Sequence, residues 1–304
     1  MSFKENPDME ELGVATVTTD SFIVGTLVTL YSFLKYNSWF NGEIIIICNE
    51  LSDRNRNYLK SLYDKVTFFS VSNRILARID ELTKVFPDFS PKQARFYSLE
   101  TFHLRNYKRV LFLDSDLLFR DSIEDLFAMT HKFIACGEGA FYNECGRQWD
   151  LEVEENDEKR EGRVLHNTFN SGFFLVDNSL LTEENYVGLL ELVDSRVYQK
   201  LKSALADQLI LNIYFEGQQH LVSCIYNYLV AHRALIYKRE KISMFDARVL
   251  HFNRPQKPWT VEKSLHYSLR DPGYVKACGL WFDSYEECLE NLYMRMNVRG
   301  NNNE

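Results

Sequence analysis

Short apolar runs, rich in β-branched residues, recur along the chain: Val14 to Thr18, Ile44 to Cys48, Val66 to Ser70, Val110 to Leu113, Phe133 to Cys136 and Gly172 to Val176. Each is too short for a helix and apolar on both faces, the pattern of strands buried in a parallel sheet. Between them lie helical stripes. Leu27, Leu30, Tyr31 and Leu34 repeat at i, i+3, i+4, i+7, and Ile75, Ile79 and Leu82 do so after the third run. This alternation predicts a layered α/β fold with a mostly parallel central sheet flanked by helices. Ser90 and Pro91 read as the N-cap and first position of a helix through Phe96. Further helices are predicted over 183–198 and 203–215, and a last one opening at Asp283 with Glu286 as its capping-box partner. The stretch Gly137 to Arg163, glycine-dotted and then charged, reads as a surface excursion, either a lid or an insertion.

Composition narrows the class. With 304 residues, 45% hydrophobic, the chain can bury one large core. The expected division is a catalytic domain over 1–260 and a helical C-terminal extension over 261–304 packed on it. A net charge of −8 repels phosphate backbones and anionic lipid, so nucleic acid is not an expected partner. The six cysteines include no CxxC and read as free buried thiols of a reducing compartment. The opening MSFKENPDMEELG has no apolar signal core and no run reaches 18 apolar residues, so a cytoplasmic location is expected. The last 40 residues lack a clear cationic amphipathic face that would support peripheral membrane contact.

The strand Arg109 to Leu113 ends in Asp114-Ser115-Asp116. Ligands of open α/β sheets sit at the carboxyl ends of strands, and residues i and i+2 of an extended chain point the same way. Both carboxylates can therefore meet one hard cation, although Asp also simply favours turns. Farther on stands His251-Phe-Asn-Arg254-Pro-Gln-Lys257-Pro-Trp259. An imidazole joining the two acids suits Mn²⁺ better than Mg²⁺, while Lys257 and Arg254 offer charge to phosphate; a solvated loop histidine is the plain alternative. Asn170-Ser171-Gly172 precedes a strand. There the amide can reach sugar hydroxyls or bond its own turn, and Gly172 permits close backbone approach. Asp207 and Gln208 interrupt an apolar helix start, where Asp207 can serve as an N-cap or a ligand contact.

In this order, with Thr18-Thr19-Asp20-Ser21-Phe22 after the first strand and the pattern Asp207-Gln208-x-x-Leu211-Asn212, the chain resembles family 8 glycosyltransferases over roughly residues 12–260. The resemblance implies a GT-A fold, a UDP-sugar donor, Mn²⁺ and retention of anomeric configuration. By position, Asp114, Asp116 and His251 resemble the metal ligands, and Lys257 the diphosphate-binding lysine. Phe22 falls near an aromatic that packs on uracil, with Thr18 and Asp20 beside it. Arg95 resembles a donor-contacting arginine, and Ser115 lies within the DxD element. Asn170, Ser171, Asp207 and Gln208 resemble the surroundings of the donor hexose, with Gln208 nearest the anomeric carbon. Arg254 departs from the family, which has glycine there; a required positive φ would make arginine costly.

The chemistry this implies is leaving-group stabilisation, in which a divalent ion and Lys257 offset charge building on the diphosphate as a hexose moves to a hydroxyl acceptor on a glycan, lipid-linked saccharide or protein. Asp207 is the carboxylate to test as a nucleophile, Gln208 being a feeble one, and same-face attack is the favoured route. A metal-dependent sugar nucleotidyltransferase fits less well, because 14–25 offers only Gly25 where a glycine-rich phosphate loop would stand. A module that binds nucleotide sugar without turnover is the non-enzyme alternative.

Overall fold

The computed structural model describes residues 10–144, 147–149, 163–165, 167–201, 203–260 and 270–301. The first half runs β1 (Glu10–Val17), α1 (Ile23–Tyr36), β2 (Glu43–Cys48), α2 (Asp53–Leu62), β3 (Val66–Ser70), α3 (Asn73–Val85), a 3₁₀ segment (Pro87–His103), β4 (Tyr107–Leu113) and β5 (Leu117–Phe119). Then come α4 (Glu124–Phe127), β6 (Phe133–Gly137), α5 (Gly139–Tyr142), β7 (Arg147–Trp149), β8 (Arg163–Leu165) and β9 (Phe169–Asp177). The remainder is α6 (Glu183–Leu192), α7 (Ser195–Leu201), α8 (Asp207–Tyr214), β10 (His220–Val222), β11 (Tyr228–Leu229), α9 (Arg233–Glu240), β12 (Val249–His251) and α10 (Pro272–Asn301).

Seven strands form the central sheet in the order β10-β6-β9-β4-β1-β2-β3. All its pairings are parallel except those of β9, which runs antiparallel to both β4 and β6. The parallel expectation for 172–176 is thus corrected: a run apolar on both faces records two covered faces, not a direction. One face packs Ala15, Ile45, Phe112 and Phe174 against α3, the 3₁₀ segment and α8; the other packs Val14, Ile46, Leu111 and Phe173 against α1 and α2. β3 lies at the sheet edge and is only partly buried, which departs from the expected covering of both faces.

A second sheet, β11-β12-β5, packs on α1. Sandwiched between sheets, α1 buries Thr26, Thr29 and Ser32 as well as Leu27 and Leu30, whereas Tyr31 and Leu34 of its predicted stripe are only half-buried. The buried hydroxyls bind backbone. Thr29 Oγ1 accepts from Leu117 N (3.1 Å) and donates to Leu117 O (2.8 Å), and Ser32 Oγ accepts from Phe119 N (3.0 Å). They satisfy backbone groups of β5 that no strand reaches.

Several boundaries differ from the sequence pattern. Pro91 lies inside the 3₁₀ segment, which opens at Pro87. The region 183–198 divides into α6 and α7, with Val193 and Asp194 between them, and the helix expected over 203–215 is shorter. The final helix begins eleven residues before Asp283, at Pro272. Asp271 accepts there from Tyr274 N (3.1 Å), so Asp-Pro is the real start signal and Asp283 is interior. The supposed excursion begins in the core: Glu138 and Tyr142 are buried, the ring packing beside Tyr228 and Trp281. Its most charged part, 152–160, lies outside the described residues. Five of the six cysteines are described, and all five are free and buried. Among the described residues no helix is long and apolar enough to cross a membrane.

Candidate active site

The paired acids sit where three strands converge. Asp114 N donates to Gly172 O (2.8 Å), continuing the β4–β9 ladder past Leu113. Ser115 Oγ donates to Val17 O and accepts from Thr26 Oγ1 (2.9 Å), which lies 2.6 Å from Thr18 Oγ1. Buried Thr18 and Ser115 thus bolt the acidic turn to β1 and α1.

Antiparallel pairing of β12 with β5 sets His251 opposite Leu117, and Phe252 N donates to Asp116 O (3.0 Å). The second sheet thereby carries His251 from far along the chain to the two acids. Ligand atoms of Asp114, Asp116 and His251 all lie within 4.8 Å of one another. His251 Nε2 is 3.1 Å from Asp116 Oδ1 and 3.6 Å from Asp114 Oδ2. At 2% exposure, His251 is no solvated loop residue. Lys257 Nζ pairs with Asp116 Oδ2 and donates to Phe252 O (2.8 Å).

Charge is divided unequally between the acids. Burial opposes ionisation of Asp116, but Lys257 and His251 outweigh it and hold the carboxyl well below the usual range. Asp114 goes the other way, raised by loss of water and by the Asp116 carboxylate. Its side chain is 43% accessible against 7% for Asp116, so Asp114 is the more open of the pair.

These residues fit a divalent cation. Asp116 Oδ1 is buried and receives no hydrogen bond, and two carboxylates with an imidazole make a mixed oxygen and nitrogen donor set. Gly172 keeps the space open: a Cβ there would lie 2.4 Å from Asp114 Oδ2 and 2.6 Å from His251 Cε1. The close approach that glycine allows is therefore to ligand side chains.

Beside them β9 and α8 bring together the amide and acid residues. Asp207, the first residue of α8, follows the cap position at Ala206, so it is not the N-cap. Its buried carboxylate accepts from Ser98 Oγ (2.9 Å). Burial raises its pKa, against hydrogen bonds from Ser98 and Ser171 and the charge of Arg95. Arg95 is itself exposed. Asn170 Oδ1 accepts from Gly172 N (3.2 Å), so the amide does bond its own turn, but Asn170 Nδ2 also donates to Gln208 Oε1 (3.0 Å). Asn212 exchanges two 2.8 Å bonds with the Phe169 backbone and locks α8 to β9. Ser98 and Asn227 were not singled out by the sequence pattern. The one available signal for Asn227 is a lone amide between Tyr226 and Tyr228.

At the rim, Asp20 Oδ1 accepts from Ser52 N (3.1 Å), Ser52 Oγ (3.0 Å) and Asn55 Nδ2 (2.7 Å), which lower its pKa and tie the β1–α1 loop to α2. Phe22 is 39% exposed and stands edge-on to Trp259, with centroids 5.8 Å apart. Arg254 donates to Ala231 O (3.0 Å). Among the described residues only Glu144 and Lys241 are non-glycine residues with positive φ, so position 254 imposes no backbone requirement for glycine.

A mostly parallel α/β sheet with paired acids ending a central strand is the arrangement of a GT-A-type fold. The glycosyl transferase family 8 profile matches residues 13–263, and the chain belongs to that family. It is 24% identical to glycogenin-1 of Mus musculus over 290 residues, covering 90% of this chain and 74% of that protein. It is 22% identical to galactinol synthase 4 of Arabidopsis thaliana over 179 residues, 54% of this chain and 50% of the relative. Its fold resembles the crystal structure of the galactosyltransferase LgtC with donor and acceptor sugar analogues. That match has a TM-score of 0.61 at 16% identity and covers 88% of this chain and 95% of LgtC.

Proposed function

We propose that this glycosyltransferase is a divalent-metal-dependent retaining enzyme that transfers a hexose from a UDP-sugar to a hydroxyl acceptor. The observation that carries the reading is the convergence of Asp114, Asp116 and His251 around a buried carboxylate oxygen with no donor. When bound, the metal supplies Lewis-acid stabilisation of negative charge on a diphosphate; Mn²⁺ suits the imidazole best, with Mg²⁺ as the substitute. Lys257 adds a preorganised ammonium beside Asp116, where leaving-group charge would gather. Phe22, exposed beside Trp259, offers an aromatic surface to a base, with Thr18 and Asp20 holding its loop. Ser171, Asn170, Asp207 and Gln208 would surround the donor sugar.

The hydrogen bonds bear on the route of retention. Gln208 Oε1 already accepts from Asn170 Nδ2 and from Ser171 N (3.4 Å), which leaves it poorly disposed to attack carbon. Asp207 is held between Ser98 and Ser171 at the start of α8. Same-face attack by the acceptor, with Asp207 and Gln208 positioning the hexose, agrees with both arrangements. The C-terminal helix α10 buttresses this site: Trp281 lies 5.6 Å from Trp259, and Cys288 and Leu292 join the α1 face of the core.

The test is release of UDP from UDP-glucose and UDP-galactose with and without Mn²⁺. Metal-stimulated release that Asp116→Ala abolishes is the expected result. Pyrophosphate release would indicate a nucleotidyltransferase, and binding of the donor without turnover a non-catalytic module.

A further inference from the structure

We propose that Asn227 is a positioning residue that turns the bare nitrogen of His251 toward the two acids and keeps Asn170 and Gln208 in register with it. The inference rests on the reading of Asp114, Asp116 and His251 as a metal site.

Parallel pairing of β11 with β12, Tyr228 opposite Leu250 and Leu229 opposite His251, sets Asn227 beside the imidazole. The side chain is fully buried. Its Oδ1 lies 2.9 Å from His251 Nδ1, and its Nδ2 donates to Asn170 Oδ1 (3.0 Å). Asn170 in turn donates to Gln208 Oε1. Three side-chain amides therefore link the imidazole to α8.

An amide chain can run in either direction, and here the backbone chooses. Gly172 N points at Asn170 Oδ1 (3.2 Å) and Ser171 N at Gln208 Oε1 (3.4 Å), so both oxygens must face those donors. Asn170 Oδ1 can then receive only an N–H from Asn227. That turns the Asn227 oxygen toward His251, which must donate from Nδ1. Nε2 is then the nitrogen that faces Asp116 and Asp114, and with Nδ1 as the standing donor it is the one that can give its lone pair to a metal. Reversing Asn170 or Gln208 would leave a backbone N–H facing an N–H, and reversing Asn227 would set its oxygen against the Asn170 oxygen. The tautomer of His251 and the orientation of Gln208 are consequently one choice, with Asn227 as the joint.

Two variants separate the halves of the proposal. Asn227→Ala removes both links; Asn227→Asp keeps an acceptor for His251 Nδ1 but cannot donate to Asn170. Mn²⁺ binding is measured alone by calorimetry, with UDP release from UDP-glucose and UDP-galactose measured separately. Asn227→Ala is expected to weaken Mn²⁺ binding about 10- to 100-fold. Asn227→Asp should bind Mn²⁺ within about threefold of wild type or more tightly, yet lose about tenfold or more in kcat with little change in donor KM. Nitrogen NMR of the metal-free wild type should show His251 protonated at Nδ1, a test that needs no variant to fold. An Nε2–H tautomer, or Mn²⁺ affinity unchanged in Asn227→Ala, overturns the tautomer role; full kcat in Asn227→Asp overturns the register role. Absence of Mn²⁺ binding by wild type would instead remove the metal-site reading, a result distinguishable from either.

Discussion

Gly172 and Asp114 share one space: the Asp114 carboxylate occupies the volume a side chain at 172 would need, with Oδ2 2.4 Å from the ideal Cβ position. Because Gly172 O also accepts from Asp114 N, the two backbones are fixed, and the clash is relieved by rotating the carboxylate away from its place beside His251. Gly172→Ala should therefore lose at least tenfold in Mn²⁺ affinity, measured by calorimetry, and about 1–3 kcal/mol of stability from overpacking. Unchanged metal binding would show that the acid keeps its place.

Lys257 is the cation paired with Asp116. Its replacement leaves a buried carboxylate with one fewer partner and takes a positive charge from the place where leaving-group charge would develop. Lys257→Ala should lower kcat for UDP release about 10²–10³-fold, the range seen when a preorganised stabilising donor is deleted. Lys257→Arg should not restore it, since a planar fork does not replace a compact ammonium. Steady-state kinetics on the two variants decides the matter.

Arg254, where the family pattern has glycine, gives a sharper expectation than the sequence allowed. Its backbone needs no positive φ, and its guanidinium donates to the Ala231 carbonyl. Arg254→Gly should change donor KM less than about threefold, since the guanidinium bond to the Ala231 carbonyl is of modest net worth and no backbone strain is relieved. A tenfold rise in KM would assign the guanidinium to the diphosphate instead.

Much of this site was legible because local rules and global fold agree there. The run 110–113 followed by two acids is a strand end whatever surrounds it, and the structure brings His251 and Lys257 to it. What was not legible lies in pairing. Nothing local shows that β9 runs antiparallel, that β12 meets β5, or that Asn227 reaches His251 across β11. The same rule both misled and would have succeeded at Pro91 and Pro272. Ser-Pro at 90–91 falls inside a helical segment, whereas Asp-Pro at 271–272 opens α10, where Asp271, also paired with Arg233, accepts from Tyr274 N.

Gly25 does for α1 what Gly172 does for β9. A Cβ there would lie 2.3 Å from Ser115 O and 2.4 Å from the Trp259 ring, so the acidic turn and the Lys257 loop both rest on it. One contact is backbone and cannot swing aside. Gly25→Ala should destabilise the protein by about 2 kcal/mol or more despite the better helix propensity of alanine. A higher melting temperature in the variant would show that α1 slides.

The two raised acids predict the pH dependence of the metal-free protein. Asp114 and Asp207 bind protons more tightly when folded than unfolded, Asp114 up to about 7. Between the ordinary carboxyl value and that limit the native state holds more protons, so stability contributed by these groups falls as pH rises. Asp116 has the opposite sign, but its window lies below the ordinary value and does not overlap. A cation must displace the Asp114 proton, so its affinity should climb with pH by up to about tenfold per unit below that limit. Melting curves at pH 5.5, 6.5 and 7.5 should show the Mn²⁺-induced rise in Tm growing with pH, while metal-free Tm falls relative to Asp114→Asn. A Mn²⁺ increment constant across that range, or a metal-free difference of the other sign, would place the proton elsewhere.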